Sequence, residues 1–149
     1  MWKLDPSDRI THWRDFRKSL NDLPLDQAIA NVAEFWQRCP FSPYYLDPDA
    51  PDTWPDPWTL IYENHYCDIA KCLGIMYTIL LTEHRKNIDV ELRVYRDPTT
   101  GYVYNLSWIN QGKYIINLID GTVVNNTQFD KTLKLQNTLS AVELKLENY

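Results

Sequence analysis

Glycine is scarce in this chain and absent before position 74. The 149 residues include four glycines, at positions 74, 101, 112 and 121, against nine prolines. Glycine readily adopts the backbone conformations of tight turns. The distribution therefore predicts a helical front followed by a second half with many turns.

Basic residues are missing from a long segment in the middle of the chain. No Lys or Arg occurs from Cys39 through Ala70, where six acidic residues lie, and the formal net charge is -5. Nucleic-acid backbones require a clustered positive field. We therefore expect no nucleic-acid partner, and a basic or neutral protein surface as the natural complement of this segment.

Long apolar runs and a regular cysteine framework are also lacking. The longest apolar-rich stretch, Ile69 to Leu81, is interrupted by Lys71 and Gly74, and "MWKLDPSDRI" has no signal-type apolar core. Three cysteines in irregular spacing favour free thiols in a reducing compartment. These features predict a soluble protein without a membrane partner, located inside the cell when it is synthesised.

Metal and cofactor motifs are absent as well. "DPDAPD" lacks the glycine turn and the distal Glu of a calcium loop, and Cys67 and Cys72 have no second pair at zinc spacing. The chain contains no phosphate loop, dinucleotide-binding glycine pattern or serine elbow. We therefore predict no metal and no cofactor.

Apolar periodicity predicts an α+β fold in a single domain. The segment 1–38 reads as two amphipathic helices, and "LPLDQAIANVAEFWQR" has the clearest 3.6-residue period. Residues 58–84 read as one buried central helix, with a break near Asn64 as the alternative. Residues 89–137 alternate as an antiparallel meander of four strands, with "KTLKLQ" as a candidate fifth. Ser140 and Glu143 suggest a C-terminal helix over 140–149.

The segment 39–57 is a proline-rich strap. "PFSPYYLDPDAPDTWPDPW" contains six prolines, which exclude a helix, together with enough aromatic area to pack on the domain. The alternative is a proline-rich ligand for the aromatic groove of a partner. The predicted partner-binding residues are Tyr44, Tyr45, Trp54, Asp56 and Trp58.

"NHYCDIAKCLGIMYTILL", followed by "VELRVY", "YVYNLSWI" and "GKYIINLID", resembles the core of transglutaminase-like proteins, which are related to papain-type enzymes. In that family a Cys opens a buried helix, a His lies on a following strand in an "H-x-W" setting, and an Asp follows. The resemblance implies Cys67 as the nucleophile, Asn105 in the strand of the His, and Asn117 or Asp120 at the acid.

The chain departs from the family pattern at the residue that acts as the general base. No histidine follows His84, and His65 stands where the family has a Gly two residues before the Cys. Without an imidazole on the sheet, nothing takes the thiol proton in the manner of the family. The resemblance therefore implies a fold that has lost its chemistry, with Cys67 as a small buried side chain.

"WPDPWTLI" looks like segments of small proteins from tailed phages, including those of cyanobacteria. This second resemblance implies a virion or assembly component. We predict a non-catalytic structural or adaptor protein that binds other subunits of an assembly, with a homo-oligomer as one form. The alternative is a cysteine-dependent acyl transferase or hydrolase that uses Cys67.

Overall fold

The helical front consists of two helices that begin where proline and acidic residues predict. The structure, a computed structural model, describes residues 1–141 and 144. Helix α1 spans Pro6–Leu20 and helix α2 spans Leu25–Trp36. Pro6 occupies the first turn of α1, where a missing N–H costs no intrahelical hydrogen bond.

The predicted central helix is divided, so its prediction as one element over 58–84 is wrong and the alternative break near Asn64 is confirmed. Helix α3 spans Pro57–Glu63 and helix α4 spans Asp68–Leu80, and a 3-10 turn follows at Glu83–Asn87. Asn64 ends α3 with a left-handed backbone, φ 59°. Asparagine tolerates this conformation better than most residues, and its Nδ2 donates to the Trp2 carbonyl at 2.9 Å.

The strap packs against the domain, as its aromatic content predicts. Leu46 is buried, and Tyr45 and Trp54 contact the main core. The Trp54 Nε1 donates to the Asp47 carbonyl at 2.7 Å, which closes a loop containing a short 3-10 turn at Pro51–Thr53. Tyr44 remains 98% exposed.

Five antiparallel strands form one sheet, and the α+β prediction is confirmed. They are β1 (Val90–Arg96), β2 (Val103–Ile109), β3 (Tyr114–Ile116), β4 (Val123–Val124) and β5 (Lys134–Ser140). Their spatial order is β4-β3-β2-β1-β5, so the first four form the predicted meander and the candidate fifth strand pairs with β1.

Two sequence expectations at the ends of strands are modified. Strand β3 ends at Ile116, earlier than "KYIINLI" suggests, because Asn117 has φ 81° and leaves the extended conformation. Ser140, the predicted cap of a terminal helix, is the last residue of β5. The remainder of the predicted helix over 140–149 lies largely outside the described residues.

Helix α4 is buried between the other helices and the sheet. The Thr78 hydroxyl accepts hydrogen bonds from the indole nitrogens of Trp13 and Trp36, which ties α4 to α1 and α2. On its other side, the Cys72 Sγ lies 3.2 Å from the Ser107 Oγ of β2. The first turn of α4 is thereby held in a defined place over the sheet. Among the described residues, no helix has the length and apolarity needed to cross a bilayer.

Candidate functional site

Cys67 lies directly before α4, as its N-cap residue, and is 7% exposed. The buried position predicted for this side chain is confirmed. Cys67 nevertheless lines a cavity of about 210 Å³ together with Cys39, Phe41, Lys71 and Asp120. The break between α3 and α4 therefore places the sulfur at a helix N-terminus beside a small internal space.

Asp68, the first residue of α4, connects the helix to the two strands that follow the turn at residues 97–101. Its Oδ2 accepts from the Asn105 Nδ2 at 3.0 Å and from the Asn105 backbone N at 3.4 Å. Its Oδ1 accepts from the Asn117 Nδ2 at 3.1 Å, and that Nδ2 also donates to the Asn105 carbonyl at 3.0 Å. One carboxylate thus holds both asparagine side chains next to the residue that carries the thiol.

The structure distinguishes the two candidates for the third site position. Asn117 belongs to the Asp68 network, whereas Asp120 lies farther along the exposed loop and forms an ion pair with Lys71. The residues brought together around Asp68 are therefore Asn105 and Asn117. Asp120 closes one side of the Cys67 cavity instead.

Sequence reasoning missed Asp68 as a site residue. The available signal was its position immediately after the candidate nucleophile, in the first turn of a helix, where an acidic residue is also explained by the helix dipole. The helix dipole therefore accounts for an acidic residue at this position without any site role, and the sequence gives no sign of the second role. The side chain is used to bind residues 37 and 49 positions away in the chain.

Burial lowers the acidity of the two other thiols. Loss of solvation raises the pKa of Cys39 to about 11, against the opposing effect of nearby Lys71. Desolvation also raises the pKa of the fully buried Cys72, beyond the partial compensation from its Ser107 hydrogen bond. Both side chains are therefore thiols at neutral pH, and the prediction of Cys72 as a core residue is confirmed.

The three histidines have other surroundings. His65 packs its ring against Tyr45, and its Nδ1 lies 3.3 Å from the Ser42 Oγ. The His84 Nε2 lies 2.8 Å from the Leu20 carbonyl, and His12 stacks on Phe35. Among the described residues that line the Cys67 cavity, none is a histidine.

A second cavity adjoins the site on the side of the strap. Its volume is about 490 Å³, and Asn105 lies at its border together with Trp54, Asp49 and Ile69. Asn105 lines this cleft and donates to Asp68, which lines the Cys67 cavity, so this hydrogen bond links the linings of the two cavities. We call it the strap cleft.

The five predicted partner-binding residues have unequal surroundings. Tyr44 is almost fully exposed, and Tyr45 packs against His65. Asp56 caps α3 by accepting from the Thr59 N–H at 2.8 Å. Trp58 packs on Trp13 while part of it stays at the surface, and Trp54 borders the strap cleft. Their role toward a partner stays a prediction.

The fold is similar to that of solved structures of Legionella pneumophila LapG. The calcium-bound and EGTA-treated forms each superpose with a TM-score of 0.71 at 14% sequence identity. The match covers 93% of this chain, and 78% and 76% of those chains, respectively. LapG is a transglutaminase-like cysteine protease. At this identity the likeness shows a shared fold, which agrees with the family resemblance of the sequence.

No family model and no curated protein sequence matches this chain. The resemblance to tailed-phage proteins therefore stays a prediction. Although one LapG structure is calcium-bound, no group of three or more His, Cys, Asp or Glu side chains in the described part of this chain could hold a metal ion.

Replacing Asp68 with alanine is expected to destabilise the protein by about 2 kcal/mol, because the amide groups of Asn105 and Asn117 lose their shared charged acceptor. Urea denaturation followed by circular dichroism measures the change. Asp120→Ala is the matched control: it removes an exposed carboxylate with one ion pair and should cost about 0.5 kcal/mol or less. Equal losses in the two variants would contradict the structural role of Asp68.

Proposed function

We propose that this protein is a non-catalytic relative of transglutaminase-like cysteine proteases, and that it binds a segment of another polypeptide without cleaving it. The observation that carries the proposal is the amide network around Asp68, formed by Asn105 of the strand in which the resemblance expects the His and by Asn117, one of the two residues that it offers for the acid. Asn105 and Asn117 donate to Asp68. A carboxamide has no basic nitrogen at neutral pH, so neither side chain can accept the thiol proton.

The cavities supply the reason to expect binding. Phe41 lines the Cys67 cavity and is 73% exposed, and Trp54 lines the strap cleft. Aromatic side chains at the edge of a cleft are frequent anchors of protein interfaces. The basic-free segment 39–70 gives this face a negative charge, which suits a basic or neutral partner.

We also propose that the partner is another subunit of an assembly, with a tailed-phage particle as the setting that the sequence resemblance suggests. This part depends on "WPDPWTLI" alone. Isolation of the protein from its native source, followed by identification of the proteins that copurify, is the direct test. Copurification with no other particle protein would count against an assembly role.

A cysteine-dependent acyl transferase or hydrolase is the second candidate. One specific observation favours it: Cys67 lines a cavity and is the N-cap residue of α4, the kind of position that cysteine nucleophiles occupy in the family that the sequence resembles. The solved structures of similar fold belong to a cysteine protease. What opposes it is that, in the described part of the chain, no histidine lines the Cys67 cavity.

The two functions predict different reactivity at Cys67. In the native protein at pH 7.5, we expect iodoacetamide to alkylate Cys67 at least about tenfold more slowly than in urea, because the sulfur is buried and has no base. Peptide mass mapping over time measures the rate at each cysteine. The buried Cys72 is the internal standard for a protected thiol.

An enzyme would give the opposite result. Alkylation of Cys67 faster in the native than in the unfolded state, together with amine incorporation into casein that Cys67→Ala abolishes, would replace the binding function by the catalytic one. If the proposal is right, the wild-type protein and Cys67→Ala give the same background level of amine incorporation into casein.

A further inference from the structure

The strap cleft contains one charged residue among those that line it in the described part of the chain. That residue is Asp49, and the cleft has a volume of about 490 Å³. A cleft of this size is in the range of sites that enclose a side chain or small ligand. We propose that the strap cleft binds the arginine side chain of an extended polypeptide, and this inference rests on the function proposed above.

The apolar part of the lining suits an aliphatic stem. Ile69 of α4, Val94 of β1, Val103 of β2 and Leu139 of β5 line the cleft with branched apolar side chains. The methylene groups of a long cationic side chain bury well against such a surface while the charge stays at its edge. A short acidic or hydroxyl side chain would leave this apolar surface uncovered.

The border of the cleft suits a planar cation. The Asp49 carboxylate is exposed, and its backbone N–H donates to the Asp47 Oδ1 at 2.9 Å, which orders the turn that presents it. Trp54 lines the cleft as well, and its indole N–H donates to the carbonyl of Asp47, two residues before Asp49. A guanidinium can pair with a carboxylate and stack on an indole at the same time.

Neutral amide side chains form the rest of the polar lining of the strap cleft. Asn105, Gln136 and Asn137 also line the cleft, and their carbonyl oxygens can accept from guanidinium N–H groups. The described lining contains no Lys or Arg that would repel or replace an incoming cation. The segment 39–70, which forms the strap side, contains no basic residue either.

Two tripeptides of equal shape test the charge. The probes are acetyl-Gly-Arg-Gly-amide and acetyl-Gly-citrulline-Gly-amide, since citrulline is the neutral isostere of arginine. The readout is the ¹H–¹⁵N shift of the Trp54 indole and of the Asn105 and Asn137 side-chain amides during titration of the full chain. We expect the arginine peptide to bind at least fivefold more tightly than the citrulline peptide, with the difference shrinking at high salt.

Matched variants locate the carboxylate. Asp49→Asn should abolish the preference for arginine, whereas Asp52→Asn, an exposed residue of the same strap outside the cleft lining, should retain it. Equal binding of the two peptides, loss of the preference in both variants, or the absence of shifts at Trp54 would overturn the inference. None of these outcomes changes the reactivity of Cys67, so the function proposed above is judged separately by alkylation and turnover.

Discussion

Replacing Thr78 with valine is expected to lower the free energy of unfolding by about 3 kcal/mol, although the two side chains have nearly the same shape. The Thr78 Oγ1 accepts from the Trp13 Nε1 at 3.0 Å and from the Trp36 Nε1 at 2.9 Å, and it donates to the Gly74 carbonyl at 2.6 Å. All three side chains are fully buried. Valine would leave two indole N–H groups without an acceptor, and each costs about 1–3 kcal/mol.

Thr78→Ser is the control for this variant. Serine keeps the hydroxyl and loses a methyl group, which should cost about 1 kcal/mol. Urea denaturation, followed by far-ultraviolet circular dichroism and by tryptophan fluorescence, measures both variants. Similar losses for valine and serine would mean that the methyl contact, and not the pair of indole hydrogen bonds, stabilises the junction of α1, α2 and α4.

Gly74→Ala is expected to destabilise the protein by about 3 kcal/mol, although helix propensity alone predicts a gain of about 1 kcal/mol. A Cβ placed on Gly74 would lie 2.5 Å from the Trp36 Cζ3 and still closer to two other atoms of that ring. Trp36 cannot move away freely, because it is fully buried and its indole nitrogen is bound to Thr78. The steric cost therefore outweighs the gain in helix propensity.

Two further variants make the prediction for Gly74 decisive. A Cβ placed on Gly101 meets no atom within 4 Å. Gly101→Ala should therefore lower the free energy of unfolding by about 1–2 kcal/mol through its left-handed backbone alone, φ 77°. Adding Trp36→Phe to Gly74→Ala should recover part of the loss, because the smaller ring leaves room for the methyl group. Stability of Gly74→Ala at or above that of the wild-type protein, in thermal and urea denaturation, would show that α2 and α4 are not packed as described.

These two variants also concern the site, because α4 carries it. Asp68 begins the helix that Thr78 and Gly74 hold against α2. A shift of α4 would move the Asp68 carboxylate away from Asn105 and Asn117 on the sheet. Variants that loosen the helix junction without unfolding the chain should therefore increase the alkylation of Cys67.

Most helices and strands were predictable because local sequence patterns identify them. The period of "LPLDQAIANVAEFWQR" identifies α2, and the alternation in "DVELRVYRD" identifies β1. The break in the central helix was foreseen as an alternative only. Its cause, the left-handed Asn64 with a hydrogen bond to Trp2, depends on a contact between residues 62 positions apart.

The site was predictable in part. The order of motifs led to Cys67, to Asn105 and to a choice between Asn117 and Asp120. It did not lead to Asp68, since an acidic residue in the first turn of a helix has an ordinary local explanation. The strap cleft was likewise beyond prediction, because its lining comes from the strap, α4 and three strands.

The chain alone determined that a cysteine precedes a buried helix and that no imidazole follows on the sheet, since both are statements about residue types in a given order. Tertiary structure decided that Asn117 and not Asp120 joins Asn105, that the Asp68 carboxylate binds both asparagines, and where a partner side chain has room. The physical reason is that hydrogen bonds and cavities depend on how strands β2 and β3 lie against α4 to within a fraction of an ångström, and local periodicity contains no information on that relation.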